Sequence, residues 1–218
     1  MRITRIAKQE RRDRYNISVD GRFCTALSAE LLLESGLREG DELEPGQLDP
    51  LIERDEAGKV LNRALRFLST RPHSERELRT KLARRSPRQA GAEAPDPELV
   101  DDAFERLREL GYLDDAAFAR QWVEERGGQR GVRLLRAELR RKGVAAEVID
   151  AALESAGDAN PVSAARELAA KRLARLSGES PQAARDKLTR YLAGRGYGYD
   201  VIRQALAELE NPAASLSD

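Results

Sequence analysis

The sequence predicts a mostly α-helical chain, a tandem array of three three-helix repeats behind a small N-terminal β-hairpin-containing (α+β) module. Three observations predict it. A spacing of apolar residues and a glycine recurs along the second half of the chain, helix-start signals fall at the same place in each recurrence, and a period-two pattern confined to the first 27 residues marks strands. In the clearest copy Leu135 and Leu139 are followed by Gly143, Ile149 and Leu153; the next has Leu188, Leu192, Gly196, Ile202 and Leu206 in the same register. Spacings of four put both leucines on one helical face, and a glycine just past them is the left-handed stop that ends such a helix. An earlier copy has Leu78 and Leu82, then Val100 and Phe104, with a loop-like insertion between Ser86 and Pro97.

Taken in order, Arg2 to Ile6 alternates, Tyr15, Ile17 and Val19 alternate, Asp20-Gly21 is a turn, and Phe23, Thr25 and Leu27 alternate again. Three short strands are expected, with Cys24 buried in the third as a small hydrophobe. Ser28 should cap a short helix, AELLLES, closed by Gly36. Further helices over 60–69, 116–125 and 162–176 open the three repeats. Ser74 with Glu77 forms a capping box, while Asp96-Pro97, Asn160-Pro161 and Ser180-Pro181 each set an N-cap before a proline. Asp114 and Asp115 read as caps of the next helix in preference to a pair of catalytic carboxylates. The expected division is 1–57 for the strand module, 58–113, 114–157 and 158–211 for the repeats, and a disordered tail over 212–218.

Composition narrows the function classes. With 5% aromatic and 35% charged residues, the chain suits several thin cores better than one thick one. The lone Cys24 has no disulfide partner, no apolar run is long enough to span a membrane, and the N-terminal residues are charged where a signal peptide would be apolar, so a reducing cytoplasmic setting is expected. His73 is the one histidine and has no metal-ligand spacing or nucleophile beside it, and a phosphate-cradling glycine loop is absent. Phe118 and Trp122, four apart, read as core packing, and Tyr112, Tyr197 and Tyr199 as rings over glycine corners with their hydroxyls in water. Neither catalysis nor a cofactor or metal is expected.

Charge is the most informative feature. The formal net charge is zero, yet bases exceed acids by six to one over 76–88, seven to one over 126–142 and four to one over 185–195, whereas 96–109 has six acids to two bases. If the repeats stack, the second helices line up as a basic stripe. The candidate binding residues are Arg133, Arg136, Arg140, Arg141 and Lys142, with Arg126, Arg130, Arg79, Arg84, Lys187 and Arg190 extending the stripe. Guanidinium groups at these spacings suit phosphates or a carboxylate-rich groove. In the strand module, residues 1–26 hold seven bases to three acids and 27–58 two to ten, a contrast that either docks one part on the other or offers two surfaces.

The motifs SERELRTKLARR, GYLDDAAFARQWV, LRAELRRKGV and GYGYDVIRQAL, in this order, resemble the RecX family of RecA regulators, and the N-terminal hairpin with GLREGDEL resembles an extension found in some members. The resemblance implies a curved rod of three-helix units, not an enzyme, that inhibits the RecA recombinase. It would bind the RecA filament on single-stranded DNA and suppress ATP hydrolysis, strand exchange and coprotease activity. The implied partners are the RecA filament and single-stranded DNA, met directly or within the filament by a monomer with no membrane attachment. A DNA-binding helical module acting by competition for DNA is the alternative that the basic stripe equally permits.

Overall fold

The computed structural model describes residues 1–84, 95–156 and 160–211. Three strands, β1 (Ile3–Lys8), β2 (Arg14–Val19) and β3 (Arg22–Ser28), precede ten helices: α1 (Ala29–Ser35), α2 (Asp49–Leu68), α3 (Glu75–Ala83), α4 (Pro97–Glu109), α5 (Asp115–Gly127), α6 (Val132–Arg141), α7 (Ala146–Ser155), α8 (Pro161–Leu173), α9 (Pro181–Gly194) and α10 (Tyr199–Glu210). These form two compact units, one of residues 1–71 with 78–112, the other of 72–77 with 113–218. The expected insertion and tail lie largely outside the described residues.

In the first unit the strands form an antiparallel sheet in the order β1-β2-β3. Asp20 and Gly21 both take positive φ, 50° and 77°, the turn geometry whose twist matches the flanking strands. Ile3, Ile17 and Leu27 are fully buried on one face against Leu43 and Leu48, with Leu32, Leu51 and Ile52 packed on them. The third strand departs from simple alternation. Thr25 pairs with Ile17 and Phe23 with Ser18, so Cys24 is an extra residue in a bulge. Cys24 is therefore exposed rather than buried, and Phe23 leaves the face that Thr25 and Leu27 share. Ser28 caps α1 by accepting from the Leu31 amide, and Gly36 closes it at φ 67°.

Charge docks the strands on α2. The Asp55 carboxylate, 3% exposed, accepts from both terminal nitrogens of Arg14, at 3.1 and 2.5 Å, and from the Ser28 amide at 3.0 Å, with the Lys59 ammonium 3.0 Å away. Burial pushes this carboxyl upward, but the hydrogen bonds from Arg14 and Lys59 outweigh it and hold the pKa below the ordinary value. The contrast between the basic strands and the acidic connection is thus used internally. Helix α2 begins at Asp49 rather than Val60, with Pro50 in its first turn; Leu51 and Ile52 join the sheet core while Val60 and Ala64 are buried in the first repeat. Gly58 and the acidic run before it mask this continuity in the sequence.

Each repeat buries most of the apolar positions that the spacing singled out, Val100 and Leu153 being only half-buried. Leu78, Leu82 and Phe104, then Leu135, Leu139 and Ile149, then Leu188, Leu192, Ile202 and Leu206 are all 3% exposed or less. Asp96, Asp114, Asn160 and Ser180 accept from first-turn amides of α4, α5, α8 and α9. Asp115 does not share that role: its carboxylate accepts from the Glu75 amide at 2.8 Å, capping α3. Helix α8 ends at Leu173, ahead of the expected Leu176. Tyr112 and Tyr199 are exposed, but Tyr197 is buried within the third repeat and its hydroxyl has no hydrogen-bond partner among the described residues.

Inside the second unit, two joints repeat one another. The N-cap turn of α6 sits on the glycine corner of the third repeat: the Gly131 amide donates to the Arg195 carbonyl at 2.9 Å and the Arg133 amide to the Gly196 carbonyl at 3.3 Å. A Cβ on Gly131 would stand 2.3 Å from the Gly196 oxygen, and one on Gly196 would meet Leu134. Equivalently, the N-cap turn of α3 sits on the corner of the second repeat. The Ser74 hydroxyl donates to the Lys142 carbonyl at 2.5 Å, and Arg76 lies over Gly143, which takes φ 85°.

Two expected outcomes follow from these contacts. Asp55→Asn should lower the unfolding free energy by about 3 kcal/mol, because Arg14 loses its counter-charge at a buried site; urea titration at neutral pH measures it. Since the folded pKa is depressed, the contribution is complete above the unfolded value near 4 and disappears as pH falls through the folded value, so the difference between wild type and variant should shrink under acid. Gly131→Ala forces backbone against backbone and should cost about 1–3 kcal/mol, with Gly127→Ala, which meets nothing within 4 Å, as the control.

Candidate partner-binding surface

The basic second helices and acidic third helices satisfy each other first. Arg79 of α3 pairs with Asp101 of α4 at 2.6 Å, Arg136 of α6 with Asp150 of α7 at 2.6 Å, and Arg185 of α9 with Glu210 of α10. The first two pairs sit at the same place in their repeats, each arginine following the first leucine of its pair, whereas the third links the start of α9 to the end of α10. All are a third or more exposed, so each contributes only about 0.2–1 kcal/mol. Their effect is to withdraw Arg79 and Arg136 from the set of open cations. Arg79 also lies 4.3 Å from the centre of the Phe104 ring.

A second group of cations is gathered around Trp122. The indole nitrogen donates to Glu138 at 3.0 Å, and Arg130 binds the other oxygen of the same carboxylate. The Arg126 guanidinium lies 3.5 Å from the ring centre and the Lys142 ammonium 4.4 Å, while Lys142 also faces Glu77 at 3.3 Å and Arg126 faces Glu125 at 2.6 Å. Trp122 packs against the core of the second repeat beside Phe118, as expected, but its polar edge organises a cluster of charges. The signal for this cluster was present: Glu138 is the lone acid in the basic run 126–142.

The remaining candidates divide by partner. Lys187 faces Glu179 at 2.5 Å, and the Arg190 Nε donates to the Asp186 carbonyl of its own helix. Arg84 is exposed, its carbonyl taken by Arg63. Arg133, Arg140 and Arg141 are exposed and have no carboxylate partner among the described residues. Arg133 and Arg140 stand two turns apart on one face of α6, about 10 Å along its axis, with Arg141 one step round. These three form the open part of the predicted stripe on α6. Arg120, Lys171, Arg172, Arg175 and Arg203 are also exposed and were not singled out by counts restricted to the second helices. No described helix is long and apolar enough to cross a membrane.

Sequence models of the family cover the chain in four pieces: the regulatory protein RecX N-terminal domain over 1–44, and the first, second and third RecX three-helix domains over 61–87, 114–153 and 160–206. The regulatory protein RecX of Levilactobacillus brevis is 32% identical over 210 residues, which are 95% of this chain and 76% of the relative. The chain belongs to the RecX family. The RecX protein of Halalkalibacterium halodurans is likewise 32% identical, over 95% of this chain and 77% of its own length. Among solved structures, a crystal structure of regulatory protein RecX matches with a TM-score of 0.69 at 26% identity, covering 95% of this chain and 99% of that one. RecX from Lactobacillus salivarius matches in fold with a TM-score of 0.61 at 24% identity, over 72% and 98%.

The cluster around Trp122 is testable by itself. Glu138→Ala should lower the unfolding free energy by about 1–2 kcal/mol and shift the emission of Trp122, the single tryptophan; an unaltered emission spectrum would contradict the indole–carboxylate contact.

Proposed function

We propose that this chain regulates the RecA recombinase as an inhibitor, binding the RecA filament on single-stranded DNA and suppressing ATP hydrolysis, strand exchange and coprotease activity. It does so as a non-enzymatic cytoplasmic protein in recombinational DNA repair and the SOS response, without a cofactor. The family membership and the names of the relatives support the regulatory reading. The observation that carries the contact is the exposed trio Arg133, Arg140 and Arg141 on α6, left without carboxylate partners where neighbouring arginines are paired. Open guanidinium groups on a rigid helix suit both phosphates and carboxylates in fixed positions. The same trio keeps a second reading in view, a DNA-binding module that acts by competition for DNA.

The two readings separate by salt and by partner. Phosphate binding alone falls steeply with salt and needs no recombinase, whereas docking on the filament persists when naked DNA is released. With excess single-stranded DNA present, titration of this protein into RecA should abolish DNA-dependent ATP hydrolysis. Replacing Arg133, Arg140 and Arg141 together by alanine should raise the concentration needed by tenfold or more, on the order of one lost charge-assisted contact per residue, with helicity unchanged. Arg136→Ala, whose guanidinium is held by Asp150, should have the smaller effect. Undiminished hydrolysis at equal molarity would remove the inhibitor reading, and an unaffected triple variant would remove the α6 contact.

A further inference from the structure

The N-terminal sheet has a second face that the core does not use. Ile3, Ile17 and Leu27 point into the first unit, but Arg5, Ser18 and Phe23 pair directly across the three strands. Cross-strand partners share a face, so these three side chains form one row. The row is set by two bulges, one at Thr4 in β1 and one at Cys24 in β3. The next row, Ala7, Asn16 and Ala26, is built of small residues and half-buried. Phe23 stands beside this low floor with 66% of its surface exposed.

The charge around the ring is one-sided. Of the seven bases in residues 1–26, Arg2 is held by the Gly40 carbonyl, Lys8 by Asp13 and Arg14 by Asp55. Arg5, Arg11, Arg12 and Arg22 are exposed and have no carboxylate partner among the described residues. Arg22 pairs with Val19 and so lies on the core side of the hairpin end, while Arg11 and Arg12 occupy the turn at the far end of the sheet. A protein hot spot would surround its aromatic anchor with further apolar residues; here the neighbours are Arg5, Ser18 and the small Cys24. An exposed ring in one row with the open guanidinium group of Arg5, and with Arg11 and Arg12 further along the sheet, matches unstacked bases joined by phosphates. A duplex keeps its bases stacked and cannot use the ring.

We infer that the open face of this sheet binds single-stranded nucleic acid, with Phe23 stacking on a base and Arg5, Arg11 and Arg12 meeting phosphates. Strands of six or seven residues span about 20 Å, room for about three or four extended nucleotides. This site is separate from the α6 trio and stands or falls independently of the RecA reading.

Cys24, exposed and the single cysteine, lies next to the ring and reports on it directly. In the full chain carrying the triple α6 substitution, which removes the competing arginines, iodoacetamide should alkylate Cys24 several-fold more slowly when an oligothymidylate of about 12 nucleotides is present at low salt. A duplex of the same length should protect less. Phe23→Ala should weaken binding of the labelled oligothymidylate by about tenfold and abolish the protection, with the melting temperature unchanged because the ring is exposed; Phe23→Tyr should retain both. An alkylation rate unaffected by saturating oligothymidylate would overturn the inference, as would wild-type affinity in Phe23→Ala. So would a Phe23→Ala variant impaired only toward the RecA filament, which would make the ring a protein contact.

Discussion

The second unit depends on a contact between main chains. At the joint between the second and third repeats, the Gly131 and Arg133 amides reach the carbonyls of Arg195 and Gly196, and no side chain heavier than hydrogen fits at Gly131. The segment Ser74–Arg76 meets the corner Lys142–Gly143 in the corresponding way. One rule therefore joins successive helices: the opening turn of a second helix sits on the glycine corner that closes another. The leucine pairs inside each repeat supply most of the stabilisation, about 1.5–3 kcal/mol for each fully buried side chain. The joint at Gly131 fixes the second repeat against the third within the second unit, which burial, being non-directional, does not do.

Electrostatics comes second in magnitude and first in selectivity. Basic second helices beside acidic third helices produce an ion pair in each repeat, at matching positions in the first two, and each is too exposed to contribute more than about 1 kcal/mol. Their consequence is subtractive, since whatever cations remain unpaired are the ones a partner meets. On α6 that leaves Arg133, Arg140 and Arg141, while Arg126, Arg130 and Lys142 are drawn into the cluster around Trp122 and Glu138.

The helical core was readable from the sequence because leucines four apart before a glycine admit few other structures, and the same leucines are the buried ones. The proline-linked caps were readable for a similar local reason. What escaped were features set by pairing between distant segments. A bulge cannot be seen in a strand of alternating residues, so the sequence placed Phe23 with Leu27 and buried Cys24; pairing with Ser18 reversed both. The binding candidates were chosen by counting charge, and counting does not reveal that Arg136 meets Asp150 or that Asp115 turns to the Glu75 amide. Gly131 carried no signal of its own, because its role exists only against Gly196.

The joint also sets an order on the making of the protein. Helix α6 has no side-chain cap, and its N-cap turn donates to carbonyls that lie more than 60 residues further along the chain. Orphan amides at a helix start are otherwise left to water. A ribosome delivers α6 well before Arg195 and Gly196, so the segment emerges with its first turn unfinished and is completed only when the third repeat arrives. Consolidation of this part of the array thus runs against the direction of synthesis, each later repeat finishing the helix of the one before it.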